Sequence, residues 1–148
     1  MTPISIAMIG VALMAGLSFV ASSIGTSIAG MAAVGAMKKN KGAFGNYMVL
    51  AALPGSQGLY GLVGYFLLRD YLVDSISEFQ AWVMLAGGII MGLTMIFSSY
   101  MQSKVCANGI AAIGNGHNVL GNTLILAAFP ELYSILAVAM VFLFTQIM

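Results

Sequence analysis

The stretch Leu50-Ala51-Ala52-Leu53-Pro54 returns further along the chain as Leu126-Ala127-Ala128-Phe129-Pro130, at an offset of 126 − 50 = 76 residues. Gly16-Leu17-Ser18 and Gly92-Leu93-Thr94 keep the same spacing, as do Ser22-Ser23 and Ser98-Ser99, and Gly45-Asn46 and Gly121-Asn122. A constant offset across four separated pairs marks one duplicated unit. The copies lie in parallel, because an even number of apolar spans separates them, in contrast to the inverted repeats of many secondary transporters.

Working outward from the repeated segments, the chain is apolar almost everywhere. Of its 148 residues 61% are hydrophobic and 6% charged, and the mean hydropathy is +1.02. A soluble domain carries about 25% charged residues. So few charges cannot cover a folded surface in water, so the solvent must be lipid. Cutting the chain at its polar clusters predicts four spans, at about 3–37, 44–68, 79–113 and 118–147. Each exceeds the roughly 20 residues that cross a hydrocarbon core, and the first and third are long enough to protrude or tilt. Helices are the expected element, because no ten-residue alternation of a transmembrane barrel is present. The fold expected is therefore an all-α membrane protein of two hairpins, residues 1–73 and 79–148.

The first loop carries Lys38, Lys39 and Lys41, whereas the second carries Asp70, Asp74 and Glu78 against Arg69 alone. Positive loops stay in the cytoplasm, which places loops 38–43 and 114–117 inside and both termini outside. The net charge of +1 gives no sign of a nucleic-acid partner. Cys106 is the single cysteine and reads as a packing residue. The start of the chain has no basic segment before its apolar run, so no cleaved leader is expected. Ser18, Ser22, Thr26 and Gly30 form one row of small residues in the first span, with Ala21, Gly25, Ala29 and Ala33 beside it. Ser99, Ser103, Ala107 and Ala111 continue the theme in the third. In lipid such rows let helix backbones approach closely. They suit intramolecular packing and, beyond it, the crowded inner wall of a multi-subunit ring.

Two charged residues lie well inside a span, Lys104 and Glu131. A carboxylate at mid-bilayer costs about 2.5–3.5 kcal/mol on insertion scales, and its default reading is functional. Gln57 lies 57 − 44 = 13 residues into its span, Glu131 lies 131 − 118 = 13 into its own, and Gln102 lies 114 − 102 = 12 before the third loop. At about 1.5 Å per residue all three sit about 18–20 Å from one face. Ser56 adjoins Gln57, and Tyr60 follows one turn later on the same side. Pro54 cannot donate to the Leu50 carbonyl, so the second span is expected to bend there and free carbonyl oxygens. Carboxylate, amide, hydroxyl and carbonyl make an all-oxygen set, which suits a hard cation such as Na⁺. A proton would need only one glutamate in an apolar site. The surplus of oxygens favours Na⁺. Lys104 is expected to snorkel or meet an anionic headgroup, and His117 to be solvated. Gly114-Asn115-Gly116 reads as a turn, and no pattern suggests hydrolytic, nucleophilic or nucleotide chemistry.

The run Leu53-Pro54-Gly55-Ser56-Gln57-Gly58-Leu59-Tyr60-Gly61, the double hairpin and Glu131 together resemble the V-type ATPase proteolipid, the c or K subunit, over nearly the whole chain. The similarity is closest to the bacterial Na⁺-pumping branch. The resemblance implies that Glu131 is the ion-binding carboxylate. It further implies that Gln57 and Gln102 supply amide oxygens, Ser56 a hydroxyl where relatives have Thr, and Leu53 a backbone carbonyl. Tyr60 would hydrogen-bond the carboxylate and close the site. The missing N–H of Pro54 points instead to the Leu50 carbonyl. Pro130, directly before Glu131, departs from the pattern, and Gly55 stands where the first hairpin would need a second carboxylate. The implied partners are further copies in a ring, a membrane stator subunit with an arginine, central-stalk subunits at the cytoplasmic loops, and lipid. No organic cofactor is implied, and ATP hydrolysis belongs to other subunits. The rival readings are the same rotor carrying H⁺, a four-helix cation or multidrug antiporter, and a purely structural pore-forming proteolipid.

Overall fold

A computed structural model describes all residues from Met1 to Met148. It is all-helical, with α1 (Pro3–Met37), α2 (Phe44–Ala52), α3 (Ser56–Leu68), α4 (Glu78–Gly114) and α5 (Leu120–Thr145). α1, α4 and α5 are each long and apolar enough to cross a membrane. At about 1.5 Å per residue, the 35 residues of α1 and 37 of α4 extend about 52 and 55 Å, well beyond the roughly 30 Å of a hydrocarbon core.

The expected span at 44–68 is interrupted. A 3₁₀ turn at Leu53–Gly55 separates α2 from α3, at the proline that cannot continue the hydrogen-bond ladder. The last helix begins at Leu120 and ends at Thr145, inside the expected 118–147. Its start is delayed by the turn in which the His117 N–H reaches back to the Ala112 carbonyl and Gly116 takes a φ of 91°. α4 starts one residue earlier than expected, because Ser77 and Gln80 form a reciprocal capping box. Pro130 sits inside α5 without ending it.

α1 packs along α4, the corresponding first helix of the other hairpin. The approach is closest at Gly10 and Gly88, where a Cβ on Gly88 would run into the Gly10 carbonyl. Ala21, Gly25, Ala29 and Ala33 are all buried in α1, so this row serves packing within the chain. Two apolar clusters fill the interior. One contains Val11, Met14, Met84, Met91, Met95 and Val141, and the other contains Ala29, Tyr47, Leu50, Cys106 and Ile110. Between them lies a belt of buried polar side chains: Ser98, Ser99, Gln102 and Gln57. Outside, α5 exposes Ile125, Phe129, Tyr133 and Leu136, each more than half exposed. An apolar surface of this extent is suited to lipid or to other copies. Lys39 Nζ donates to Asn115 Oδ1 at 2.8 Å, which fixes the first and third loops at one end.

Candidate ion site at mid-height

The polar belt begins with the break after α2. Shortening the helix to a 3₁₀ turn and inserting Pro54 leaves backbone groups in need of partners. Serines from the long helices supply them. Ser99 Oγ lies 3.1 Å from the Pro54 carbonyl and 2.8 Å from that of Ala21. Ser22 Oγ donates to the Gly55 carbonyl at 3.1 Å and accepts the Gly58 N–H at 2.6 Å. Gly25 makes room for this: a Cβ there would collide with Ser99 Oγ and lie 2.6 Å from Pro54 Cβ.

Glu131 stands beside this braced turn, partly buried on α5. Its Oε2 accepts Gln102 Nε2 from α4 at 3.0 Å, and its Oε1 accepts the Tyr60 hydroxyl from α3 at 2.9 Å. Gln102 Nε2 also lies 3.0 Å from the Ala127 carbonyl, and Gln102 Oε1 accepts Gln57 Nε2 at 3.0 Å. Gln57 and Gln102 are fully buried. Ser56 Oγ lies 3.4 Å from Gln57 Oε1 and donates to the Leu53 carbonyl at 3.0 Å. The residues singled out in the sequence, Leu53, Ser56, Gln57, Tyr60, Gln102 and Glu131, therefore form one continuous chain of hydrogen bonds across three helices and the turn.

No basic side chain reaches this carboxylate. The one ion pair in the chain is Arg69–Asp70 at 3.3 Å, on the surface. Lys104 is exposed and rests its amine 4.3 Å from the centre of the Tyr100 ring, while His117 is exposed in its loop and Cys106 is a buried free thiol. Ser98 belongs to the site although the sequence marks it only as a repeat residue. It accepts Gln57 Nε2 at 3.3 Å and donates to the Pro130 carbonyl at 2.7 Å, so it ties the amide pair to α5. Ser22 and Ser99 likewise look in the sequence like repeat and packing residues alone. The repeat holds the signal, because Ser22 and Ser98 occupy matching positions and each braces a carbonyl in its own hairpin's proline segment.

Duplicated helical hairpins with an apolar exterior, a braced break in one and a single carboxylate at mid-height in the other define a membrane proteolipid. The family model of the ATP synthase C subunit matches the chain twice, at residues 9–68 and 85–144, and these two matches are again offset by 85 − 9 = 76 residues. V-type sodium ATPase subunit K of Enterococcus hirae is 33% identical over 126 residues, which cover 85% of this chain and 81% of that protein. A-type ATP synthase subunit K of Methanocaldococcus jannaschii is 28% identical over 133 residues, covering 90% of this chain; the match spans only 58% of that relative's length. The chain belongs to the ATP synthase C-subunit family.

Proposed function

We propose that this chain is a rotor subunit of a V-type rotary ATPase, in which copies form a ring in the membrane and each carries one Na⁺ at Glu131. The observation that carries the reading is the charge balance at that residue. A carboxylate in oil must be neutralised, and Glu131 has no cationic side chain beside it, only the neutral donors Gln102 and Tyr60. Its two oxygens lie 2.9 Å from the Tyr60 hydroxyl and 3.0 Å from the Gln102 amide nitrogen. A mobile cation is the partner this arrangement calls for. Gln57, Gln102, the Ser56 hydroxyl and the Leu53 carbonyl are the oxygen donors within the same network, and Tyr60 holds the carboxylate in place. The sodium named for the Enterococcus relative supports the choice of ion.

In this reading residues 44–68 act as one span bent at Pro54, giving four in all. The lysine-bearing loop and the third loop, joined by Lys39 and Asn115, face the cytoplasm and meet the central stalk, and the termini lie on the other side. The loaded site is neutral and tolerates lipid. It exchanges its ion where a stator arginine approaches, and nucleotide hydrolysis occurs in other subunits. The same rotor carrying H⁺ is the second reading. One observation favours it: Gln102 Oε1 already accepts Gln57 Nε2, so a cation would share that oxygen with a hydrogen bond, whereas a proton needs none of it.

Carbodiimide labelling of Glu131 in the purified oligomer at fixed pH separates the two. Sodium is expected to protect, and Glu131→Gln is expected to abolish labelling. Failure of Na⁺ to protect, with acid simply speeding the reaction, rejects the sodium reading in favour of H⁺. A detergent-extracted mass corresponding to a dimer rejects the rotor in favour of an antiporter.

A further inference from the structure

The two hairpins of one chain already show how two such units fit together. α1 and α4 approach closely along their length, and the residues that meet keep a nearly constant difference in number. It is 84 − 10 = 74 at Met84 and Gly10, 92 − 17 = 75 at Gly92 and Leu17, 99 − 21 = 78 at Ser99 and Ala21, and 114 − 36 = 78 at Gly114 and Ala36. Lys39 and Asn115, bonded at the loop end, differ by 115 − 39 = 76. These values bracket the repeat offset, so each contact joins nearly equivalent positions. The second hairpin therefore stands beside the first by a sideways turn, with almost no slip along the helix axes. A contact of this kind is heterologous. It leaves the far side of the second hairpin open to the next unit, and it closes into a ring when rotation alone relates the units.

Each contact within the chain has a counterpart between copies, found by adding 76 to its first-hairpin residue and subtracting 76 from its second-hairpin residue. Gly92 receives Leu17, whose Cβ would lie 3.2 Å from a Cβ on the glycine. The counterpart sets Leu93 (17 + 76) over Gly16 (92 − 76) of a second copy. Both are exposed, and nothing in the chain lies within 4 Å of the Cβ position of Gly16. Gly88 against Gly10 becomes Ala12 (88 − 76) against Ala86 (10 + 76), again exposed and small enough for backbones to come close. Ser99 Oγ, 2.8 Å from the Ala21 carbonyl and 3.1 Å from that of Pro54, becomes Ser23 (99 − 76) facing Phe97 (21 + 76) and Pro130 (54 + 76). Ser23 is exposed, and its hydroxyl bonds nothing in its own chain, although its carbonyl accepts Thr26 Oγ1 at 3.3 Å. A hydroxyl left so in lipid is costly. Ser98 already occupies the Pro130 carbonyl at 2.7 Å, which leaves the Phe97 carbonyl as the acceptor. The receiving surface is a groove of about 520 Å³ between α4 and α5, walled by Leu93, Phe97, Met101, Pro130 and Tyr133 among others. Met101 stands where Gly25 does (101 − 76), so copies meet less tightly at this level than the hairpins do, and the groove gives its flexible side chain room to fold.

We propose that this groove is the docking surface for α1 of a second copy. Leu93 of one copy covers Gly16 of the next, and the next copy's Ser23 hydroxyl donates to the Phe97 carbonyl. This deepens the ring reading given above and rests on it. The seam between copies repeats the seam between hairpins, and the next copy's α1 forms the outer wall beside Ser98 and Pro130, the residues that brace the helix bearing Glu131.

The test is disulfide cross-linking of the full chain in its membrane, carrying Cys106→Ala, Gly16→Cys and Leu93→Cys. The matching approach of 3.2 Å is near the roughly 3.5–4.5 Å Cβ separation of a disulfide, so mild oxidation is expected to give a ladder of covalent multimers. Neither single-cysteine chain is expected to pass dimer. Absence of the ladder from a chain that still extracts as a large oligomer overturns this seam and leaves the rotor reading standing. A ladder that stops at dimer overturns the head-to-tail contact. A dimeric mass for the unaltered chain overturns the rotor reading and this inference with it. Should the first pair fail to assemble, Ala12→Cys with Ala86→Cys decides by the same ladder, its presence supporting the seam and its absence rejecting it. Ser23→Ala is expected to lower the temperature at which the purified oligomer dissociates, and an unchanged temperature overturns the Ser23 bond.

Discussion

Tyr60 and Gln102 hold the two oxygens of one carboxylate by different means. Tyr60 makes a single bond, to Oε1 at 2.9 Å, and removing its hydroxyl leaves the remaining network intact. Tyr60→Phe is therefore expected to weaken Na⁺ protection of Glu131 about fivefold, the effect of about 1 kcal/mol, without loss of assembly. Gln102 serves Glu131, Ala127 and Gln57 at once, so Gln102→Ala should weaken protection considerably more and also lower the melting temperature of the oligomer. A smaller effect for Gln102→Ala than for Tyr60→Phe would show that the amide is not an ion ligand. Much of this site is legible in the sequence. Counting residues from the loops places Gln57, Gln102 and Glu131 at one depth, and helical rise is regular enough for that to work. Ser98 escapes the same count. A serine among small residues looks like packing until the donor or acceptor opposite it is known, and that depends on how the helices rotate about their axes.

Helix boundaries follow the polar clusters closely, because the ends of apolar runs and the ends of hydrogen-bond ladders coincide where the chain meets water. The break at Leu53–Gly55 is visible in the sequence as Pro54; its repair by Ser22 and Ser99 is not, since those residues come from other parts of the chain. Pro130 carries the same chemistry in α5 with a different outcome, the helix continuing through it. Because the repaired turn is packed tightly against α1, Gly25→Ala is expected to destabilise the assembly by about 1–3 kcal/mol through overpacking, read as a lower melting temperature. An unchanged melting temperature would mean that the α1–turn contact is loose.

For the molecule as a whole, the Lys39–Asn115 bond puts loops one and three together. In a chain with Cys106 replaced by alanine, cysteines introduced at Asn40 and His117 should react with an impermeant reagent from the cytoplasmic side, and one at Thr2 only from the other. Reaction of the loops from opposite sides would overturn the topology. Gly16 and Gly35 are exposed and have open space where a Cβ would stand, so a side chain starts out from either without a clash in a lone chain. In a ring lined by α1 it meets a neighbour: Gly16→Leu is expected to dissociate or resize the oligomer while helical content stays constant, and an unaltered mass would place α1 away from the contact. Gly55 occupies the place that Glu131 holds in the second half (131 − 76 = 55), so in the proposed rotor four membrane crossings would share a single cargo seat. A wheel built this way has half the seats, for a given circumference, of one whose every hairpin bears an acid. Fewer passengers then cross per revolution, and each can be driven up a steeper electrical slope, where every 100 mV demands about 2.3 kcal/mol per charge. In the proposed rotor, the missing carboxylate would gear the machine for steep gradients at low throughput.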